Sequence, residues 1–392
     1  MSPRERVLAA IDHHEPDRVP IDIGGGSSTS ISIEAYEELK RHLGVAGTTN
    51  TLSKIFRVAA LDEHVMRRLG SDCRPLRSKS PLHWTPPPSA PGSLVDLWGV
   101  TWKQQPFGAR GYYWEIARNP LADAGIADLD RYPWPDPLDP GFTSGLRAEA
   151  ESLFRNTGYA IEASSGFYSF WELACNLRGF SRLLMDLVES PTFVDALMAK
   201  LLEINILGTE RFLREAGPYI QIYRAADDLA TQRGLLMSLG IYRTRLRPYY
   251  RTYFDFVRSH TGARILYHSC GNITNLIDEL ADIGVDAINP VQVSAMPDTA
   301  VLKSRFGSRV TFWGGIDTQH ILPHGSVNDV TAEVRKRICD LAPGGGFILS
   351  AVHCIQADVP PENILAMADA AGRYGVYPIC EEPTVPDAAS CQ

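Results

Sequence analysis

The chain has 392 residues, 44% of them hydrophobic and 21% charged, with a formal net charge of −8 at pH 7. This composition suits a globular protein with a large core and excludes a disordered or low-complexity chain. The acidic balance argues against a nucleic-acid partner, which would want a basic face. No apolar run reaches the ~18 residues of a membrane span, and Met1 to Pro20 lack the apolar stretch of a signal peptide, so a cytoplasmic location is expected. Seven cysteines without framework spacing point away from a disulfide scaffold.

Ser2 can cap, and Pro3 can open, a helix over residues 3–13 with Val7, Leu8 and Ile11 as its apolar stripe. Glu15-Pro16-Asp17 then turns the chain into a short strand, Val19 to Ile23, which ends in Gly24-Gly25-Gly26. Helices are expected over 34–43 and 61–69. Residues 75–140 are rich in Pro, Trp and Gly, yet their aromatics want burial, so they read as a small β-containing insertion that caps one end of the fold.

From residue 142 the rhythm becomes regular. A helix over 142–156 leads to a strand at 159–163, then helices near 168–187 and 191–215. A strand over 219–223 is followed by Asp227-Asp228, and a helix over 239–260 contains Pro248, which can kink it. Strands at 264–268, 286–289, 310–314 and 346–352 alternate with helices over 273–283, 327–341 and 361–373. Repeated strand–helix units with short, wholly apolar strands mean a parallel sheet covered on both faces. The expected fold is α/β, a (β/α)8 TIM barrel over 1–380 with 75–140 as a cap-like insertion and 381–392 as a flexible tail. A doubly wound open sheet is the alternative.

The segment from Arg264 to Asn272 carries the strongest chemical signal. Residues i and i+2 of a strand point to one face, so His268 and Cys270 project together at the strand's C-terminal end. In α/β barrels that end is the active-site mouth. Imidazole and thiolate are soft ligands that favour zinc, and a catalytic zinc takes three protein ligands and keeps a fourth position open. The third can come from His353 or Cys354, which close the strand beginning near residue 346 and point to opposite faces of a regular strand.

Four stretches together resemble the uroporphyrinogen decarboxylase superfamily. They are Pro3-Arg4-Glu5-Arg6-Val7 with Pro16-Asp17-Arg18-Val19-Pro20, Tyr267 to Asn272 running on through Gly284 to Gln292, Phe312 to Gln319, and Asp358 to Ile364. The match is better to the methyltransferase-like branch than to the decarboxylases. The resemblance implies a (β/α)8 barrel. Decarboxylases of the family use no metal and grip porphyrin carboxylates with an arginine-rich motif, but the corresponding Ile21 to Ser28 has no arginine. The family's corrinoid-dependent methyltransferases bind zinc through His-x-Cys and a later Cys. His268 and Cys270 match the first two, and counting back from Pro360 puts His353 at the third place, with Cys354 one residue away. The resemblance therefore implies a Zn2+-dependent methyltransferase moving a methyl group between a corrinoid (cobalamin) on a partner corrinoid protein and a small methylated or thiol substrate. A metal-free decarboxylase or lyase is the alternative.

Other strand ends offer further polar groups. Asp227 and Glu172 are candidates for proton transfer, with helix capping as the plainer role for Asp227 and Asp228. Glu162 and Glu172 are each a candidate fourth ligand or proton carrier, and Glu162, Asp228, Asp317 and Gln319 are candidate substrate contacts, with Gly314-Gly315 opening space beside the last two.

Overall fold

The computed structural model describes residues 1–106 and 111–379. Seven parallel strands form one curled sheet: β1 (Cys73–Arg77), β2 (Ala160–Ser164), β3 (Ile222–Ala226), β4 (Arg264–His268), β5 (Ala287–Val291), β6 (Thr311–Ile316) and β7 (Phe347–Ala351). Their order in space follows their order in sequence. The segment around Ile21 closes the ring. Asp22 N donates to Leu349 O on β7 (2.9 Å), and Asp72 N, at the start of β1, donates to Ile21 O (2.7 Å). This segment is the eighth stave of a TIM barrel, and closure rules out the open doubly wound sheet. It stays too short to be a regular strand, being paired through one parallel bridge, Ile21 to Leu349.

The charged residues of the N-terminal motif make that closure. Arg6 Nη1 reaches Asp72 Oδ1 at 2.6 Å, Arg18 Nη1 reaches Asp72 Oδ2 at 2.9 Å, and Ile21 N donates to Asp72 Oδ2. A buried carboxylate with that many donors is stable only when all are present. The first helix, Pro3–Ile11, carries the capping box expected of Ser2 and Glu5. Its Val7, Ala10 and Ile11 cluster with Cys73, Ala160, Ile222, Leu266, Ala287, Trp313 and Ile348, one inward-facing residue from each strand. The helix thus plugs the bottom of the barrel with apolar side chains.

The outward faces of the strands, including Ile161, Tyr223, Ile265, Ile288 and Phe312, pack in the larger core beneath the helices. Most expected elements lie within a residue or two of their places, and Val327–Leu341 coincides with the expected helix. The strand expected at 219–223 instead runs Ile222–Ala226, because Tyr219 is held in a turn by its N–H bond to Ala216 O. The helix expected over 168–187 is split into Trp171–Arg178 and Phe180–Glu189 by Gly179, whose φ of 96° interrupts it. That expected over 239–260 is interrupted by a π-helical turn, Tyr242–Leu246, just before Pro248, where the ring removes a backbone donor. The helix expected over 273–283 shortens to Ile277–Asp282.

Within residues 75–140 a three-stranded antiparallel sheet forms from Ser93–Val95, Thr101–Pro106 and Tyr112–Arg118. It lies at the C-terminal end of the barrel. Trp98 packs edge-on against Phe167 in the loop after β2 (6.3 Å between centroids), and Arg57 stacks over Tyr112 (4.1 Å). The expected tail, 381–392, lies outside the described residues. Among the described residues no helix is long and apolar enough to cross a membrane.

Candidate metal centre at the barrel mouth

The period of two along each strand builds the site in layers. Two residues beyond the apolar floor, on the same inward side, Ala160 gives way to Glu162, Ile222 to Arg224, Leu266 to His268, Ala287 to Asn289 and Ile348 to Ser350. All five of these polar residues are buried. A polar tier therefore sits directly on the apolar one, below the mouth.

His268, Cys270 and His353 converge at the top of that tier, with their ligand atoms all within 4.8 Å of one another. His268 Nε2 and Cys270 Sγ are 3.4 Å apart. A tetrahedral zinc at ~2.3 Å from sulfur and ~2.0 Å from nitrogen would set these two atoms ~3.5 Å apart. The ring of His353 lies 5.8 Å from that of His268, exposed toward the mouth. These residues fit a zinc ion by donor type and by spacing.

The partner of His268 decides which nitrogen is free. Asn289 Nδ2 donates to Trp313 O (3.2 Å), which turns Asn289 Oδ1 toward the ring, 2.6 Å from His268 Nδ1. Oδ1 is acceptor-only, so Nδ1 carries the proton and Nε2 presents its lone pair to Cys270. Burial first, and then Arg224 and His353, hold His268 well below the usual histidine range, so the ring is neutral, as a ligand must be. The support continues inward: Ser28 Oγ also donates to Asn289 Oδ1 (3.1 Å), and Arg224 Nη2 donates to Ser28. Arg224 Nη1 is paired in turn with Glu162 Oε1 at 3.1 Å.

Cys270 is fixed by its own backbone, whose N–H donates to Asp228 Oδ1 at 2.8 Å. Burial, with Asp228 and Glu172 close by, pushes the Cys270 thiol well up. The same surroundings push Glu172 up to about 8, chiefly through burial and then through Asp228 and Asp227. A protonated carboxyl at neutral pH thus stands beside the cluster.

Cys354 does not join the cluster. It is buried, its Sγ 3.9 Å from the carbonyl of Ile355. The structure brings His353, and not its neighbour, to the other two. Nor is Asp227 free for chemistry. It accepts from Ser169 Oγ (2.6 Å), Phe170 N (2.8 Å), Glu172 N (2.7 Å) and Tyr250 Oη (2.6 Å). It is fully buried, and it caps the helix Trp171–Arg178 from another part of the chain. Asp317 is spent on a turn, accepting from Gln319 N (2.7 Å) and lying 3.0 Å from His320 Nδ1. Gln319 is exposed and meets Gln232 at 3.5 Å. Glu162 lies one tier below the mouth, bound to Arg224. Asp228 and Glu172 are the expected acidic residues that the fold leaves beside the cluster.

Arg224, Asn289, Asp22 and Arg77 were not singled out from the sequence as candidates. Strand parity carries the signal for Asn289, but Arg224 fell outside the strand placed at 219–223. Asp22 is buried against Glu162 and pushed up to about 7 by burial and then by that neighbour. It accepts from Gly25 N (2.9 Å) and Trp313 Nε1 (3.0 Å).

A family model described as uroporphyrinogen decarboxylase (URO-D) matches residues 117–374. The chain belongs to the uroporphyrinogen decarboxylase family. Curated relatives include the uroporphyrinogen decarboxylase of Serratia proteamaculans, 24% identical over 67% of this chain and 75% of that protein. That of Anaeromyxobacter dehalogenans is 25% identical over 66% and 70%. Among solved structures, a methyltransferase from Methanosarcina mazei superposes with a TM-score of 0.64 at 18% identity, covering 95% of this chain and 99% of that one. This last likeness establishes the shared fold. Asn363, in the Asp358 to Ile364 motif, serves that fold: its amide donates to Leu322 O and Gly325 O, both at 2.8 Å, and pins the loop after β6.

Proposed function

We propose that this member of the family is a zinc-dependent methyltransferase, moving a methyl group between a corrinoid carried by a partner protein and a small methylated or thiol substrate. The observation that carries the reading is the convergence of His268, Cys270 and His353 at the barrel mouth. Porphyrinogen decarboxylation gives no reason for such a cluster, and the stretch from Ile21 to Ser28 has no arginine for the acid side chains of a porphyrin. The fold shared with a methyltransferase is in keeping with this reading. The names of the curated relatives favour the second reading, a metal-free decarboxylase.

His268, Cys270 and His353 would hold the ion. When bound there, zinc would supply Lewis acidity and stabilise a thiolate near neutral pH. Asn289 keeps the His268 lone pair directed at the site. Asp228 holds the Cys270 backbone. Glu172, whose carboxyl is pushed up by burial and by Asp228 and Asp227 in the metal-free protein, is the group beside Cys270 that would pass a proton to a substrate heteroatom gaining charge as methyl leaves.

The test is elemental analysis of the purified protein with His268→Ala and Cys270→Ala alongside, followed by methyl transfer from methylcobalamin to a thiol. About one zinc per chain, lost in both variants, with thiol methylation that needs the metal, is the expected result. A wild type that takes up no zinc on reconstitution sinks the reading and leaves the decarboxylase.

A further inference from the structure

Arg77 ends β1 on the same inward side as Cys73 of the barrel floor, three staves round the ring from β4. Its surroundings are unlike those of the other enclosed arginines. Arg6 meets Asp72 at 2.6 Å, Arg74 meets Glu63 at 2.7 Å, Arg178 meets Asp186 at 2.7 Å, Arg224 meets Glu162 at 3.1 Å and Arg337 meets Glu333 at 3.0 Å. Among the described residues Arg77 has no such partner, and its Nε is fully buried without a hydrogen bond. Arg77 as a whole is only partly enclosed, and a guanidinium cannot shed its proton, so its fork stays charged and without an ion-pair partner. The neighbouring acids attract it without pairing with it. Glu162 is already engaged through Oε1 with Arg224, while its buried Oε2 has no partner.

We propose that Arg77 is a substrate-binding residue, and that the small substrate carries a carboxylate which pairs with this guanidinium while its reacting end faces His268, Cys270 and His353. The proposal deepens the reading above and rests on the barrel mouth being the substrate pocket. A planar carboxylate matches the guanidinium fork with two parallel hydrogen bonds. Glu162 and Asp22 lie close enough to Arg77 to act on it electrostatically, and they disfavour a dianion such as phosphate. Tyr168, in the loop after β2, stands beside the same guanidinium.

The experiment titrates the zinc-reconstituted full chain with benzoate against benzamide, acetate against acetamide, and inorganic phosphate, by calorimetry and thermal shift. Arg77→Gln and Arg77→Lys are run in parallel, and the zinc content of every sample is measured. The expected result is binding of the acids at least ~10-fold tighter than of their amides, equivalent to ~1.4 kcal/mol. That preference should vanish in Arg77→Gln and survive weakened in Arg77→Lys, with zinc content unchanged. Equal binding of acid and amide, or a preference that persists in Arg77→Gln, overturns the proposal. Phosphate binding more tightly than either acid, through Arg77, overturns the carboxylate assignment. Should Arg77→Gln fail to fold, a weakened preference in folded Arg77→Lys supports the pairing, and a preference undiminished there refutes it. A protein that takes up no zinc on reconstitution yet selects acids through Arg77 would refute the zinc reading and keep the anion site.

Discussion

Replacing Asn289 with leucine tests whether the site is organised as described. The substitution keeps roughly the volume of the side chain but removes the acceptor 2.6 Å from His268 Nδ1 and the donor to Trp313 O. His268 Nδ1–H is then left buried without a partner, at a cost of ~1–3 kcal/mol. Turning the ring over to recover a bond would carry Nε2 away from Cys270. Supporting residues of this type typically contribute 10–100-fold in metal affinity, or ~1.4–2.8 kcal/mol. Asn289→Leu should therefore weaken zinc binding by that factor in competition with a chelator, while the near-ultraviolet circular dichroism stays native. Nitrogen-15 spectra of the wild-type ring should show the Nδ1–H tautomer. Zinc affinity within twofold of wild type in a folded Asn289→Leu would refute the argument that this amide sets the ligand nitrogen.

Cys354→Ser should keep its zinc and His353→Ala should lose it, by more than the ~10–100-fold ascribed to supporting residues; the reverse pattern would return the third place to the thiol. Because burial and nearby carboxylates hold the Cys270 thiol protonated at neutral pH, zinc must displace that proton. Apparent affinity should rise with pH across the neutral range, and calorimetry in buffers of different ionisation enthalpy should count about one proton released per zinc. Asp227→Asn should lower stability by ~2 kcal/mol or more in urea unfolding, since it upsets a cap with four donors; a variant of native stability that has lost activity would restore a chemical role. Asp22 has its carboxyl raised from 3.8 to about 7 in the folded protein, so between those values the folded state binds more protons and stability falls as pH rises. Unfolding free energies at pH 5 and 7.5 should differ less for Asp22→Asn than for wild type; an unchanged slope would count against burial of an acid there.

The sequence alone determined the strand–helix alternation, and with it a parallel barrel, because apolar runs covered on both faces leave few other solutions. It also singled out His268 and Cys270 as a pair, by a period of two, although β4 ends at His268 and it is the bond from Cys270 N to Asp228 that holds the second residue in place. Only the tertiary structure decided between His353 and Cys354: the chain leaves regular strand geometry after Ala351, and alternation no longer dictates direction. Packing likewise decided that Asp227 caps a helix more than fifty residues earlier in the chain, and that Asp22, Glu162, Arg224 and Asn289 meet in one tier. Those contacts join staves far apart in sequence, and their register is set by ring closure through Ile21, Asp72 and Leu349, which no local pattern encodes.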